Sequence, residues 1–165
     1  MSLLLWLCLL LTSLSFSSAY LPRALYMTTT TALPCGPKEV VGVIIVDHGS
    51  RREEANKGLL ELVRRYRSLQ TAFTIVEPAH MELASPSIED AFRSCVEQGA
   101  STIICHPYFL SQGRHVSQDI PALMASAADK FPGVKYCITE PLGGQERITE
   151  LIHSSIMSSR PSQDE

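Results

Sequence analysis

Two histidines, His48 and His115, each follow a run of β-branched and aromatic residues, and His80 with Glu82 follows a third such run. In an open α/β sheet, ligands bind beyond the carboxyl ends of the strands, so these side chains are expected on one rim. Because His80 and Glu82 are two residues apart, extended backbone would direct both to the same side. Imidazoles and a carboxylate on one rim predict either a loosely held divalent first-row metal or bases for proton removal.

Three arginines lie in the same predicted loops, Arg51 and Arg52 after His48 and Arg114 directly before His115. The whole chain has a net charge of −3, so this local positive charge indicates an anionic ligand at the rim. The alternative is that the three arginines are only solvated loop charges. Ser50 lies beside them but lacks the second glycine of a nucleophile elbow, which argues against a serine hydrolase.

The bulk composition limits the classes of function. With 165 residues, 45% of them hydrophobic, the chain can bury one sizeable core. Its net charge of −3 gives no broad basic field, so nucleic acid is not expected as a partner. The five cysteines form no CxxC pair, which argues against a structural zinc site and a disulfide framework. There is no GxGxxG or P-loop string, so no nucleotide is expected.

The first 38 residues have the composition of targeting sequences. Residues 1–19 are interpreted as a signal peptide, because a short apolar stretch is followed by small residues. Residues 20–38 contain no acidic residue and many threonines, which is typical of a transit peptide. Together they predict a plastid location, with secretion as the alternative. A core domain over 39–158 and a disordered tail over 159–165 follow, and no stable membrane span is expected in the mature chain.

Apolar periodicity predicts strands that alternate with amphipathic helices in the core domain. We predict strands at 40–46, 73–76, 102–110 and 134–139, and helices over 53–69, 88–98, 116–127 and 148–156. Such alternation forms parallel βαβ units with right-handed crossovers, so the predicted fold class is α/β with a small parallel sheet of about four strands. The small number of strands favours pairing with a second copy.

Apolar stripes identify the predicted core of the helices. In the first helix the stripe consists of Leu59, Leu62, Val63, Tyr66 and Leu69, and in the last helix of Ile148, Leu151, Ile152 and Ile156. Three cysteines and one histidine are also expected in the core, namely Cys95, Cys105, Cys137 and His106. His153 is expected on the surface.

Five segments in order, VDHGSRR, EPAHMELASPSIEDAF, CVEQGA, PYFLSQGRHVSQDIP and EPLGG, resemble the motifs of the short CbiX-type class II chelatases. The resemblance covers residues 40–155 and is strongest to the plant and algal plastid type of sirohydrochlorin ferrochelatase. It implies a chelatase-like three-layer fold and a lyase that inserts Fe²⁺ into sirohydrochlorin to give siroheme, without a nucleotide. It also implies a homodimer, because the short form has one half of the two-lobed chelatases.

The resemblance also implies roles for individual residues. His48 and His115 match the two family histidines, and Glu82 matches the metal-binding glutamate of related cobalt chelatases, so these three are the expected metal ligands and catalytic groups. Neutral imidazoles suit metal insertion, because they bind the cation weakly and accept the pyrrolic protons. The expected substrate contacts, several of them facing the carboxylates of the macrocycle, are Ser50, Arg51, Arg52, His80, Gly113 and Arg114.

Several alternatives remain open at this point. Cobalt or nickel could replace iron, because imidazole and carboxylate accept all three metals. A non-catalytic carrier of tetrapyrrole or metal would use the same rim. Plant relatives carry a cysteine-rich C-terminal extension associated with an iron–sulfur cluster, and no such cluster is expected here because the sequence stops at PSQDE.

Overall fold

The computed structural model describes residues 39–69 and 72–160. The predicted signal peptide (1–19), the transit-like segment (20–38) and most of the predicted tail therefore lie outside the described residues. The described chain forms one parallel sheet with the strand order β2-β1-β3-β4. Its strands are β1 (Val41–Asp47), β2 (Ile75–His80), β3 (Thr102–Pro107) and β4 (Lys135–Ile138).

Helices connect these strands as predicted for βαβ units. They are α1 (Glu53–Arg67), α2 (Ile88–Glu97), α3 (Ile120–Ala128) and α4 (Arg147–Ser158). A π-helical turn, His115–Asp119, leads directly into α3, and a short 3-10 turn, Leu142–Gly144, precedes α4. The predicted α/β class with four parallel strands is confirmed.

The central strand β1 is buried because both faces of the sheet are covered next to it. One face packs Ile44 and Val46 against α2 and α3, with Phe92 fully buried at the centre of that cluster. The other face packs Val43 and Ile45 against the inner side of α1. A nearly continuous apolar sequence is what such a doubly covered strand requires.

Two strand ends differ from the prediction by more than two residues, and the other strand boundaries differ by at most two. β2 continues to His80, four residues beyond the predicted end at Val76. The polar Glu77 and the Pro78 that follows it obscured the strand, but β2 is an edge strand, where a missing amide hydrogen is tolerated. β3 stops at Pro107 instead of Leu110, and Leu110 is exposed.

Some predicted core positions are on the surface. Leu69 lies beyond the end of α1 and is exposed, and Cys137 is exposed because β4 is a short edge strand. α4 contributes no buried residue, and its predicted inner residues Leu151, Ile152 and Ile156 are all exposed. Cys95 and Cys105 are buried, as predicted. Within residues 39–69 and 72–160, none of the helices combines the length and apolarity needed to cross a bilayer.

Candidate metal and substrate site

The loops after β1 and β2 run side by side at the carboxyl edge of the sheet. Two backbone hydrogen bonds continue the pairing past the strands: Met81 N donates to the Asp47 carbonyl at 2.8 Å, and Glu82 N donates to the His48 carbonyl at 3.1 Å. Sequence reasoning placed His48 and Glu82 on one rim, and this register places them as direct neighbours.

His48 and Glu82 are in contact through their side chains. Nε2 of His48 lies 3.0 Å from Oε1 of Glu82, and the two side chains are 43% and 50% exposed. Nδ1 of His48 lies 3.1 Å from the Gly49 carbonyl, which fixes the orientation of the ring. With Nδ1 donating to this carbonyl, the contact with Glu82 is attractive only when Nε2 also carries a proton, and loss of that proton leaves a lone pair on Nε2 at the rim.

The second predicted histidine, His115, reaches the same point from the far side of the rim. Its ring centroid is 5.1 Å from that of His48, with an interplanar angle of 75°. His115 begins the π-helical turn instead of lying in a loop as predicted. The structure thus brings together the three residues predicted as metal ligands, although they are 67 residues apart in sequence from His48 to His115.

Asp119 was missed by sequence reasoning. Its Oδ2 lies 2.8 Å from Nδ1 of His115, one helical turn away. A carboxylate that accepts the Nδ1 proton leaves the lone pair on Nε2, which is how ligating histidines are commonly oriented. The available signal was the spacing of four residues in HVSQD, which places the two side chains on one face of a helix.

His48 lies against both Glu82 and His115, and the three predicted ligands do not form a preformed metal site. Across the described ranges, no group of three or more His, Cys, Asp or Glu side chains is already arranged around a metal position. A cation entering between His48 and His115 would have to take the place of the His48–Glu82 contact. Because that contact is half exposed, opening it costs little, about 0–1 kcal/mol for an exposed ion pair.

The predicted position of His80 beside Glu82 on the exposed rim is wrong. The side chain of His80 is fully buried, whereas that of Glu82 is half exposed. The reason is that β2 continues to His80, so its ring lies on the same face of the sheet as the side chain of its register partner Asp47, and Nδ1 lies 2.6 Å from Oδ1 of Asp47. His80 also belongs to the wall of a cavity of about 380 Å³ next to the rim.

The other predicted substrate contacts lie on the chain segments that carry His48 and His115. Arg51 and Arg52 are exposed, Gly113 is exposed, and Arg114 lies 3.9 Å from Oδ1 of Asp119. Ser50 is partly buried, and its backbone forms two hydrogen bonds with the side chain of Asn56. The cations therefore lie near the histidines, with the charged ends accessible to a ligand.

Apolar side chains are also exposed at this edge. Leu83 follows Glu82 and is 51% exposed, and Tyr108 and Leu110 follow β3 and are 43% and 73% exposed. A second cavity, of about 330 Å³, lies between Leu110 and Gly143, where a Cβ on Gly143 would meet the Leu110 carbonyl oxygen at 2.0 Å. Exposed apolar groups mixed with cations suit a flat ligand that has an apolar ring and acidic substituents.

Two further histidines lie outside the cluster. Burial lowers the pKa of His106, whose Nδ1 lies 2.7 Å from Oγ1 of Thr139. That hydrogen bond agrees with the predicted satisfied histidine, although the residue is only partly buried. His153 is exposed on α4, as predicted.

Comparison with known proteins gives several relatives. The chain is 51% identical over 115 residues to the chloroplastic sirohydrochlorin ferrochelatase of Arabidopsis thaliana, covering 70% of this chain and 51% of that protein. It is 32% identical over 114 residues to the sirohydrochlorin cobaltochelatase of Sulfolobus acidocaldarius, covering 68% of this chain and 87% of that protein. The chain thus spans about half the length of the Arabidopsis relative and most of the Sulfolobus relative.

Solved structures agree with these relatives. A CbiX protein from Marinobacter aquaeolei superposes with a TM-score of 0.63 at 25% identity, covering 72% of this chain and 95% of that one. SirB from Bacillus subtilis with Fe³⁺ superposes with a TM-score of 0.64 at 27% identity, covering 73% of this chain and 48% of that one. The sequence model of the CbiX family matches residues 42–159. The chain therefore belongs to the CbiX family.

Proposed function

We propose that the protein is a sirohydrochlorin ferrochelatase, which inserts Fe²⁺ into sirohydrochlorin to give siroheme. The observation that carries this proposal is that His48, Glu82 and His115 lie together at the rim. Nε2 of His48 is 3.0 Å from Oε1 of Glu82, and the ring centroids of His48 and His115 are 5.1 Å apart. The 51% identity to the chloroplastic ferrochelatase of Arabidopsis supports iron as the metal.

Metal insertion requires removal of water from the cation and of two protons from the pyrrole nitrogens. Two imidazoles and a carboxylate can replace part of the water shell, and an open, half-exposed site releases the cation again, unlike a closed tetrahedral site. An imidazole nitrogen that carries no proton can also accept one from a pyrrole nitrogen. In this proposal His48 and His115 present Fe²⁺ to the macrocycle. The Glu82 carboxylate moves away from His48, and Glu82 then binds the cation or accepts a proton.

The acidic substituents of sirohydrochlorin would be bound by the surrounding cations. Arg51, Arg52 and Arg114 lie on the loops that carry the histidines, and a guanidinium can bind a carboxylate through two hydrogen bonds. Ser50 and Gly113 lie next to them on the same loops. The apolar ring of the macrocycle would rest on the exposed Leu83, Tyr108 and Leu110.

The identity of the metal is the part of the proposal for which there is a specific alternative. Cobaltochelatases are among the relatives, including the Sulfolobus protein, and one SirB structure was solved with cobalt. Imidazole and carboxylate ligands do not separate iron from cobalt or nickel by type. We propose iron as the metal in the cell, and cobalt or nickel as metals that the same site accepts in vitro.

An anaerobic assay with sirohydrochlorin and Fe²⁺, Co²⁺ or Ni²⁺ tests the proposal. We expect turnover by the full chain and a loss of at least about 100-fold in His48→Ala and His115→Ala, the range for a lost acid–base group. His153→Ala is the matched control, because His153 is exposed on α4. Full rates in both site variants would refute these assignments. Binding of sirohydrochlorin with no change in its absorbance on addition of Fe²⁺ would indicate a carrier.

We further propose that the protein acts as a homodimer, with α4 in the interface. The chain matches about half of the length of SirB, and the exposed apolar side chains Leu151, Ile152 and Ile156 form one face of α4. A second copy would supply the missing half and cover this face. We expect sedimentation of a dimer for the native chain and for Ser154→Glu, and of a monomer for Ile152→Glu. A native monomer would refute the proposal.

We propose a plastid location from the predicted targeting segments, 1–19 and 20–38, and from the chloroplastic location in the name of the Arabidopsis relative. A fluorescent protein fused behind residues 1–38 should accumulate in plastids. Secretion of that fusion would contradict the proposal. The predicted absence of an iron–sulfur cluster stays a prediction.

A further inference from the structure

Directly beneath the rim, Asp47 and His80 form a buried pair. The side chain of His80 is 0% exposed, and its Nδ1 lies 2.6 Å from Oδ1 of Asp47. The same carboxylate oxygen accepts a hydrogen bond from Gly49 N at 2.9 Å. One oxygen therefore ties the end of β2 to the loop that carries His48.

The pair lies at the point where the two loops of the site are joined. Asp47 and His80 are the last register partners of β1 and β2, and Glu82 is two residues beyond His80. A Cβ on Gly49 would lie 2.0 Å from the carbonyl oxygen of Glu82, so the two loops touch through their backbones. A displacement of His80 relative to Asp47 would therefore also displace Glu82 relative to His48.

Packing alone does not account for a histidine at this position. Among the described residues, Nε2 of His80 is a buried side-chain nitrogen with no hydrogen-bond partner. An unpaired polar atom in a buried setting destabilises the fold, whereas a leucine would fill similar space without that cost. With Nδ1–H donating to Asp47, the unpaired atom is a bare lone pair. The structural reason for histidine is thus its Nδ1–H donor.

We propose that Asp47 and His80 are positioning residues, which hold the two loops that carry His48 and Glu82 in the relative position that metal insertion needs. This inference rests on the proposed chelatase function. His80 acts through its hydrogen bond to Asp47 and does not contact the substrate. Groups that orient metal ligands from behind typically change metal affinity or activity by about 10–100-fold when they are removed.

Three substitutions separate this role from a merely structural one. Asparagine places its amide nitrogen near the position of Nδ1, glutamine places its own near the position of Nε2, and leucine has no donor. We expect His80→Leu and His80→Gln to lower kcat about 10–100-fold, with KM for sirohydrochlorin within about threefold of the native value. We expect His80→Asn to restore kcat to within about fivefold of native.

A second measurement does not depend on turnover. Co²⁺ added to the tetrapyrrole-free protein reports the site by its visible absorption, and we expect about tenfold weaker binding in His80→Gln with recovery in His80→Asn. If the native chain binds Co²⁺ but inserts no metal, the proposed function fails, and the Co²⁺ titrations still decide the role of His80.

Specific results would overturn the inference. One is native kcat and native Co²⁺ affinity in His80→Gln or His80→Leu. Another is equal impairment of His80→Asn and His80→Gln, because the effect would then not depend on the Nδ1 position. If His80→Leu does not fold, the comparison of Asn with Gln decides. Circular dichroism and melting curves confirm that the variants compared are equally folded.

Discussion

Gly49 is the position where stability and the site geometry can be perturbed together. Its φ is +82°, and a Cβ there would lie 2.0 Å from the Glu82 carbonyl oxygen and 3.1 Å from Cβ of His80. Gly49→Ala must therefore adopt a left-handed conformation and also push the two loops of the site apart. Gly99 is the matched control, because its φ is +95° and a Cβ there meets nothing within 4 Å.

The difference between the two variants gives the magnitude of the clash. The left-handed conformation costs about 1–2 kcal/mol in either variant. Gly49→Ala additionally separates loops joined by the hydrogen bonds Met81 N to Asp47 O and Glu82 N to His48 O, each contributing about 0.5–1.5 kcal/mol. We expect a loss of about 1–2 kcal/mol for Gly99→Ala and about 2–5 kcal/mol for Gly49→Ala.

Urea unfolding followed by circular dichroism measures these free energies, and the anaerobic chelatase assay measures the effect on the site. A clash this short requires a displacement of about 1 Å, which can reduce catalysis about 100-fold. Gly99→Ala should retain its activity, because Gly99 is at the end of α2, away from the rim. Equal stability of the two variants, with full activity of Gly49→Ala, would refute the reasoning.

Other expected outcomes concern separate parts of the molecule. Asp119→Ala should lower kcat about 10–100-fold with an unchanged melting temperature, since it removes the acceptor for Nδ1 of His115, and the exposed Asp129→Ala is its control. Burial raises the pKa of Cys95 and of Cys105 to about 12, so in a Cys8→Ser, Cys35→Ser chain at pH 8 a thiol reagent should label the exposed Cys137 first and these two only on unfolding. Burial lowers the pKa of His106 below its ordinary 6.5, so between that lowered pKa and pH 6.5 the unfolded chain binds a proton that the folded chain does not. The free energy of unfolding should therefore decrease as the pH is lowered below 6.5, and this group contributes at most about 1.4 kcal/mol per pH unit to the slope. The decrease should be less steep in His106→Asn. Identical slopes in the two proteins would contradict the assignment.

The fold could be predicted because β1 and β3 are strongly apolar and alternate with clear amphipathic helices. The end of β2 could not, since Glu77 and Pro78 break the apolar pattern and only the edge position of the strand makes them acceptable. The stripe on α4 was recognised, but an apolar pattern does not identify what covers it. In this structure Leu151, Ile152 and Ile156 remain exposed.

The site was predictable where it depends on position along the strands. His48, Glu82 and His115 each follow a strand, and parallel strands bring their carboxyl ends to one edge. The supporting contacts were not predictable in the same way. The bond between Asp119 and His115 depends on the turn after β3, and the burial of His80 depends on an exact register between β1 and β2.

The borders of the sheet limit how copies of this protein can associate. At one border, Pro78 in β2 lacks an amide hydrogen that an incoming strand would need. At the other, β4 has only four residues and exposes Lys135. Both features oppose strand addition, which is the usual route to fibrils. Association through a helix face can close on itself, so the dimer proposed through α4 would end at a small, finite complex.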